Sequence, residues 1–165
     1  MTSETQPTPI IRPATRADVP VILGFIRDLA EYEKLAHEVV ATEEALARTM
    51  FGPKAYAESL IAEIDGKPAG FALFFHNFST FLGKPGLYIE DIYVAPEHRS
   101  HGLGMRFFKE LAKLAVERDC GRMEWWVLDW NEPAIAFYQK LGAEPMDEWT
   151  VQRLNRRQLE ALAKN

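Results

Sequence analysis

Tyr88-Ile89-Glu90-Asp91-Ile92-Tyr93-Val94-Ala95-Pro96-Glu97-His98-Arg99-Ser100-His101-Gly102-Leu103-Gly104 reads as a strand, a turn and the start of a helix. The strand runs to Val94, Ala95-Pro96 turns the chain, and the helix continues from Leu103 to Arg118 with Phe107, Phe108, Leu111, Leu114 and Ala115 on one apolar stripe. A helix N-terminus leaves backbone N–H groups without intrahelical partners, and glycines let a ligand approach them closely, so this turn is built for an anion such as a pyrophosphate. The dinucleotide fingerprint would need a third glycine at 107, where Phe107 stands. The nucleotide P-loop would need Lys and Ser or Thr after the last glycine, where Met105 and Arg106 stand.

The flanking elements alternate between strands and helices. Ile10-Ile11-Arg12 reads as a short strand, and Asp18 as the N-cap of a helix with Pro20 in its first turn and Ile22, Phe25, Ile26 and Leu29 on its buried face. Thr42 caps a second helix through Thr49, ended by Gly52-Pro53. Ser59 to Ile64 and Ala69 to His76 form a hairpin about Asp65-Gly66-Lys67-Pro68, and a third strand follows the Gly83-Lys84-Pro85-Gly86 turn. The Leu103 helix has the length of a crossover to a parallel neighbour, Met123 to Leu128. Asn131 then caps a short helix with Pro133 in its first turn and Gly142 after Leu141. Trp149 to Leu154 reads as a last strand, and Asn155 with Gln158 as the capping box of a terminal helix. The fold class is therefore α/β, a mixed and mostly antiparallel sheet flanked by helices, in one domain over residues 10–165 behind a disordered polar tail at 1–9.

Composition narrows the function classes. Lys plus Arg against Asp plus Glu gives 19 − 24 = −5, which argues against nucleic acid and mildly favours cationic small molecules. Cys120 is the only cysteine, so an internal disulfide is excluded and a reducing compartment is the simple reading. The apolar run Ala69 to Phe75 is far too short to span a bilayer, and the first nine residues lack a signal pattern, so a cytoplasmic protein without membrane contact is expected. His98 and His101 read as loop histidines; with one Cys and no H-E-x-x-H there is no zinc set, and no metal is expected. No G-x-S-x-G occurs to supply a hydrolase nucleophile.

Arg99-x-x-Gly102-x-Gly104 after an acidic strand resembles the coenzyme A loop of the GNAT family of N-acetyltransferases. A second block, Val127-Leu128-Asp129-Trp130-Asn131-Glu132-Pro133-Ala134-Ile135-Ala136-Phe137-Tyr138-Gln139-Lys140-Leu141-Gly142-Ala143, resembles that family's cofactor and catalytic segment. With Ile11 to Thr15, Glu31-Tyr32-Glu33 and Tyr88 to Val94 in the same order, the likeness covers about residues 10–154 and is nearest the diamine (spermidine/spermine) subfamily and its thialysine branch.

The resemblance implies an acetyl-CoA-dependent enzyme in which a small primary amine attacks the thioester directly, and a homodimer. A protein lysine or N-terminal amine is the rival acceptor, and a non-catalytic acyl-CoA-binding domain the rival class. Tyr138 takes the family's general-acid position. Reference pKa values of about 10 for Tyr and about 8.5 for a thiol make that transfer uphill by only about 2 kcal/mol. The same residue read without the family would be core, because Ala134, Phe137, Tyr138 and Leu141 share a helical stripe. Glu90 is expected to bind the acceptor and accept its proton through water, with Asp91, Tyr32 and Glu33 as further acceptor contacts; structural ion pairs or a solvated helix end are the plain alternatives. In a regular strand only one of Glu90 and Asp91 faces the cleft. For the cofactor, Ile92, Tyr93 and Val94 offer strand backbone to pantetheine, and Arg99, Ser100, His101, Gly102, Leu103, Gly104 and Met105 form the phosphate loop. Ser100 stands where many relatives have Gly. Asn131 acts as cap and cofactor contact, and Tyr138 also touches the cofactor.

Overall fold

A hairpin with both turn residues in the left-handed region, Asp65 at φ 52° and Gly66 at φ 73°, starts the sheet. Such a turn twists as strands do, so β2 (Glu58–Ile64) and β3 (Lys67–Ser79) pair at once. The computed structural model describes residues 8–164; residues 1–7 of the expected tail lie outside the described residues. The chain divides into two compact units, Met1–Trp126 and Val127–Asn165.

The first unit holds a five-stranded sheet in chain order: β1 (Ile10–Pro13), β2, β3, β4 (Lys84–Val94) and β5 (Arg122–Trp125). All neighbours are antiparallel except β4 and β5, which run parallel through the crossover helix α3 (Leu103–Glu117). One face buries Phe71, Leu73 and Tyr93 against Ile22 and Phe25 of α1 (Val19–Tyr32) and Met50 of α2 (Glu43–Phe51). Phe25 stacks on Phe71 at 5.6 Å and meets Tyr93 at 5.8 Å, contacts worth about 0.5–1.5 kcal/mol each beyond area burial. Phe74 points the other way, beneath the Arg118 guanidinium just past α3 at 5.9 Å. Arg12 joins β1 to Asp18 at 2.9 Å and to Glu63 of β2 at 2.7 Å. Asp18 does stand before α1, yet its carboxylate serves Arg12 and the Thr15 amide rather than capping that helix, and the bonds hold it near pKa 2.

Three further expectations change. The β3–β4 turn occupies residues 80–83, so Lys84, Pro85 and Gly86 already belong to β4. The strand expected from Met123 to Leu128 stops at Trp125, because β5 pairs with β4 only from Gly86 to Ile89 and β4 is kinked at the next residue by a bulge. In the second unit, α4 (Glu132–Leu141) and α5 (Arg156–Ala163) form as read, including the Asn155–Gln158 capping box. Trp149 to Leu154 is not a strand: among the described residues that unit offers no other strand to complete a ladder, and Trp149, Val151 and Leu154 are exposed.

Candidate active site

Beyond Ile89, β4 has a strand partner on one side only. Ile92, Tyr93 and Val94 pair with Ala72, Phe71 and Gly70 of β3, whereas β5 has already ended, so the other edge of β4 has no β-neighbour among the described residues. Ala95 then bonds back to Ala69, Pro96–His101 makes a 3-10 turn, and Gly102 takes φ 68° as the residue before α3. A side chain at Gly102 would strain that left-handed backbone, which is why glycine is wanted there. Arg106 makes the first bond back, to the Gly102 carbonyl at 3.1 Å, so the amides of Leu103, Gly104 and Met105 precede the helical ladder. An open strand edge running into uncommitted helix amides suits a ligand with an amide-bearing arm and a phosphate end.

Side chains in this segment do less than their positions suggest. Tyr93 is buried in the core and Leu103 wholly so, leaving only their backbones for a ligand. Arg99, expected beside phosphate, lies against Tyr32 and Tyr93, 5.3 and 5.6 Å from their ring centres, and its Nε donates to the Val94 carbonyl at 3.0 Å. Arg99 thus ties the end of α1 to the end of β4. Ser100 is exposed, and His98 and His101 are half-buried with rings 6.2 Å apart. Among the described residues no group of three or more His, Cys, Asp or Glu side chains is gathered as a metal would require.

The bulge in β4 sorts the carboxylates. Phe74 faces Ile89 but Leu73 faces Asp91, so Glu90 is the extra residue and the alternation is rephased. Tyr88, opposite Phe75, then shares a face with Asp91 and Tyr93, the face that packs on α1. Glu90 is exposed, while Asp91 is half-buried and its carboxyl is pushed up to about 7, first by burial and then by repulsion from Glu90 and Glu33. Glu33, at the C-cap of α1, is half-buried and also raised, by burial. Tyr88 is held neutral by burial and by Glu90, Glu124 and Asp91; its ring lies 4.9 Å from Phe75 and 6.0 Å edge-on from Trp126. This aromatic wall was not legible in the sequence. Its members come from three segments, and only their pairing reveals it.

The second unit places the other candidates on α4. The Asn131 side chain accepts from the Ala134 amide at 3.4 Å, so the cap forms as read. Tyr138 stands half-buried in the second turn, its ring 5.8 Å from that of Phe137, and Gly142 closes the helix at φ 86°.

A strand edge leading into a helix N-terminus, beside half-buried carboxylates, is an arrangement that can hold an extended ligand with an anionic end. Comparison makes the class specific: the acetyltransferase (GNAT) family model matches residues 26–143, across both units, and the chain belongs to that family as a single-domain N-acetyltransferase. It is 40% identical over 147 residues to thialysine N-epsilon-acetyltransferase of Bos taurus, covering 84% of this chain and 86% of that one. It is 34% identical to L-ornithine N5-acetyltransferase of Arabidopsis thaliana, over 93% and 87% of the two chains. An integron cassette protein from V. cholerae has the same fold, with a TM-score of 0.80, 25% identity and coverage of 95% and 98%.

Proposed function

We propose that this enzyme transfers acetyl from acetyl-CoA to a primary amine of a small cation, a thialysine-like amino acid or a diamine. The observation that carries the reading is the pair Asp91 and Glu33: among the described residues neither carboxylate has a hydrogen-bond or ion-pair partner, although both are half-buried. Carboxylates withdrawn from water favour a cationic guest. Relatives named thialysine N-epsilon-acetyltransferase and L-ornithine N5-acetyltransferase support the same acceptor class here, as does the likeness to a spermidine/spermine N(1)-acetyltransferase-like protein.

In this reading the backbone of Ile92, Tyr93 and Val94 takes the pantetheine arm, and the amides from Ser100 to Met105 take the pyrophosphate, with Arg99 able to swing from Tyr32 to a phosphate. Asn131 and Tyr138 keep the cofactor roles that the family resemblance gives them. Tyr138 gives its proton to the departing thiolate, and Tyr32, Glu33, Glu90 and Asp91 surround the acceptor. The enzyme works in the cytoplasm as a homodimer, a state that would cover the apolar side chains of Trp149, Val151 and Leu154. Parallel kcat/KM measurements on thialysine, lysine, spermidine and a lysine-containing peptide test the acceptor. The free amines should be preferred. A preference for the peptide would overturn the small-amine assignment and favour a protein acceptor, and binding of acetyl-CoA without any turnover would favour a non-catalytic domain.

A further inference from the structure

Arg99 sits where the cofactor side and the acceptor side of the proposed site meet. Its guanidinium carbon stands 5.3 Å from the ring centre of Tyr32 and 5.6 Å from that of Tyr93, and its Nε donates to the Val94 carbonyl at 3.0 Å. Which way that carbonyl points follows from the ladder. The Ala95 amide donates to the Ala69 carbonyl at 2.9 Å, and bonded pairs alternate with unbonded ones along antiparallel strands, so Val94, opposite Gly70, turns its own N–H and C=O away from β3. Arg99 therefore occupies a backbone acceptor on the open edge of β4, one of the groups that an extended cofactor arm would use.

The other end of the contact is Tyr32, an exposed side chain on the last residue of α1, followed by Glu33 as C-cap and by Lys34, which turns the chain away at φ 62°. A guanidinium over that ring takes the face on which a cationic guest would stack, and it meets the guest's charge with its own. The acids nearby gain nothing from it: burial raises Glu33, and burial with repulsion from Glu90 and Glu33 raises Asp91. No carboxylate pairs with Arg99 among the described residues; its ties are a carbonyl, two rings and the Tyr93 phenol, all uncharged. A pyrophosphate offers this exposed side chain a bidentate, charge-assisted grip that none of those partners provides.

We propose that Arg99 makes acceptor binding depend on cofactor binding. In the free enzyme it closes both sides at once, holding the Val94 carbonyl and covering the Tyr32 ring. In the complex with coenzyme A it moves to the phosphates at the start of α3, which frees the β4 edge for the pantetheine arm and uncovers Tyr32 for the amine. Arg99 lies in the 3-10 turn that leads into α3, three residues before Gly102, so its side chain is placed to serve either position. The proposal rests on the reading of the enzyme as a small-amine acetyltransferase.

The coupling acts through charge as well as space. With Arg99 on Tyr32, an ammonium approaching Glu33 meets a fixed cation; with Arg99 on a phosphate, that cation is both displaced and neutralised. Linkage then requires that the factor by which the cofactor tightens the amine equal the factor by which the amine tightens the cofactor. Arg99 acts through Tyr32 and Val94 and not on the reacting atoms, which makes it a positioning residue. Lysine in its place would carry the charge without the planar fork that serves a carbonyl, a ring and a phosphate in turn.

The test is calorimetry with thialysine and coenzyme A, which carries no acetyl group, so that binding is read without turnover. Wild type should bind thialysine about tenfold more tightly at saturating coenzyme A than without it, and coenzyme A should gain the same factor from saturating thialysine. Arg99→Gln should bind thialysine several-fold more tightly than wild type in the absence of coenzyme A, and its coupling factor should fall to about one. Arg99→Lys should give a factor between the two, and it carries the same comparison if Arg99→Gln does not fold. A factor of about one in wild type, an undiminished factor in the variants, or weaker binding of thialysine by cofactor-free Arg99→Gln than by wild type would each overturn the proposal. Failure of the underlying reading looks different: wild type would then bind and acetylate no free amine even when loaded with cofactor, and the proposal would fall with it.

Discussion

Tyr138 is the proton donor of the proposed reaction. A phenol can donate to a departing thiolate, and Tyr138→Phe removes only that proton while keeping the ring that lies against Phe137. Turnover should fall by about 100 to 10,000-fold with a smaller change in acetyl-CoA affinity. Single-turnover rates beside equilibrium titration separate the two, and an undiminished chemical step would remove Tyr138 from the mechanism. At this scale the sequence was a good guide to residue types and a poor one to their orientation. Glu90 and Asp91 were both visible as candidates, but which one leaves solvent depends on a bulge that exists only once Leu73 and Phe74 choose their partners. Arg99 shows the same limit, since its two aromatic neighbours lie on another helix and within a buried strand position.

At the scale of elements, local chemistry was legible wherever a side chain satisfies its own backbone. The Thr42 oxygen accepts from Ala45, Asn131 from Ala134, and Asn155 exchanges bonds with Gln158, each as the spacing required. Strand ends were not legible, because an end is decided by the neighbour: apolar character continues to Leu128, yet β5 stops where β4 kinks. That kink also opens the β4 edge proposed for pantetheine. The loop after it depends on Gly102, held at φ 68°. Gly102→Val puts a β-branched side chain on left-handed backbone, at a cost of about 1–3 kcal/mol in stability, and should displace the α3 amides from a bound pyrophosphate. Calorimetry should therefore find weaker acetyl-CoA binding in a protein that still melts cooperatively. Unchanged affinity would mean that the phosphates sit elsewhere.

Across the whole molecule, the acids outnumber the bases by 24 to 19, and the unpaired carboxylates at the end of α1 and in β4 add a local negative field to that excess. Such a field should raise the encounter rate of a polycation more than that of a molecule carrying one net charge. Salt screens it, the Debye length falling from about 30 Å at 0.01 M to about 10 Å at 0.1 M. Contacts made at close range with a half-buried carboxylate are screened less than the approach to it. Raising ionic strength over this range should therefore lower kcat/KM for spermidine more than for thialysine, whose own carboxylate offsets one ammonium, while kcat at saturation stays nearly constant. Equal slopes for the two acceptors would show that the acidic excess is a property of the surface at large and plays no part in bringing the amine to the enzyme.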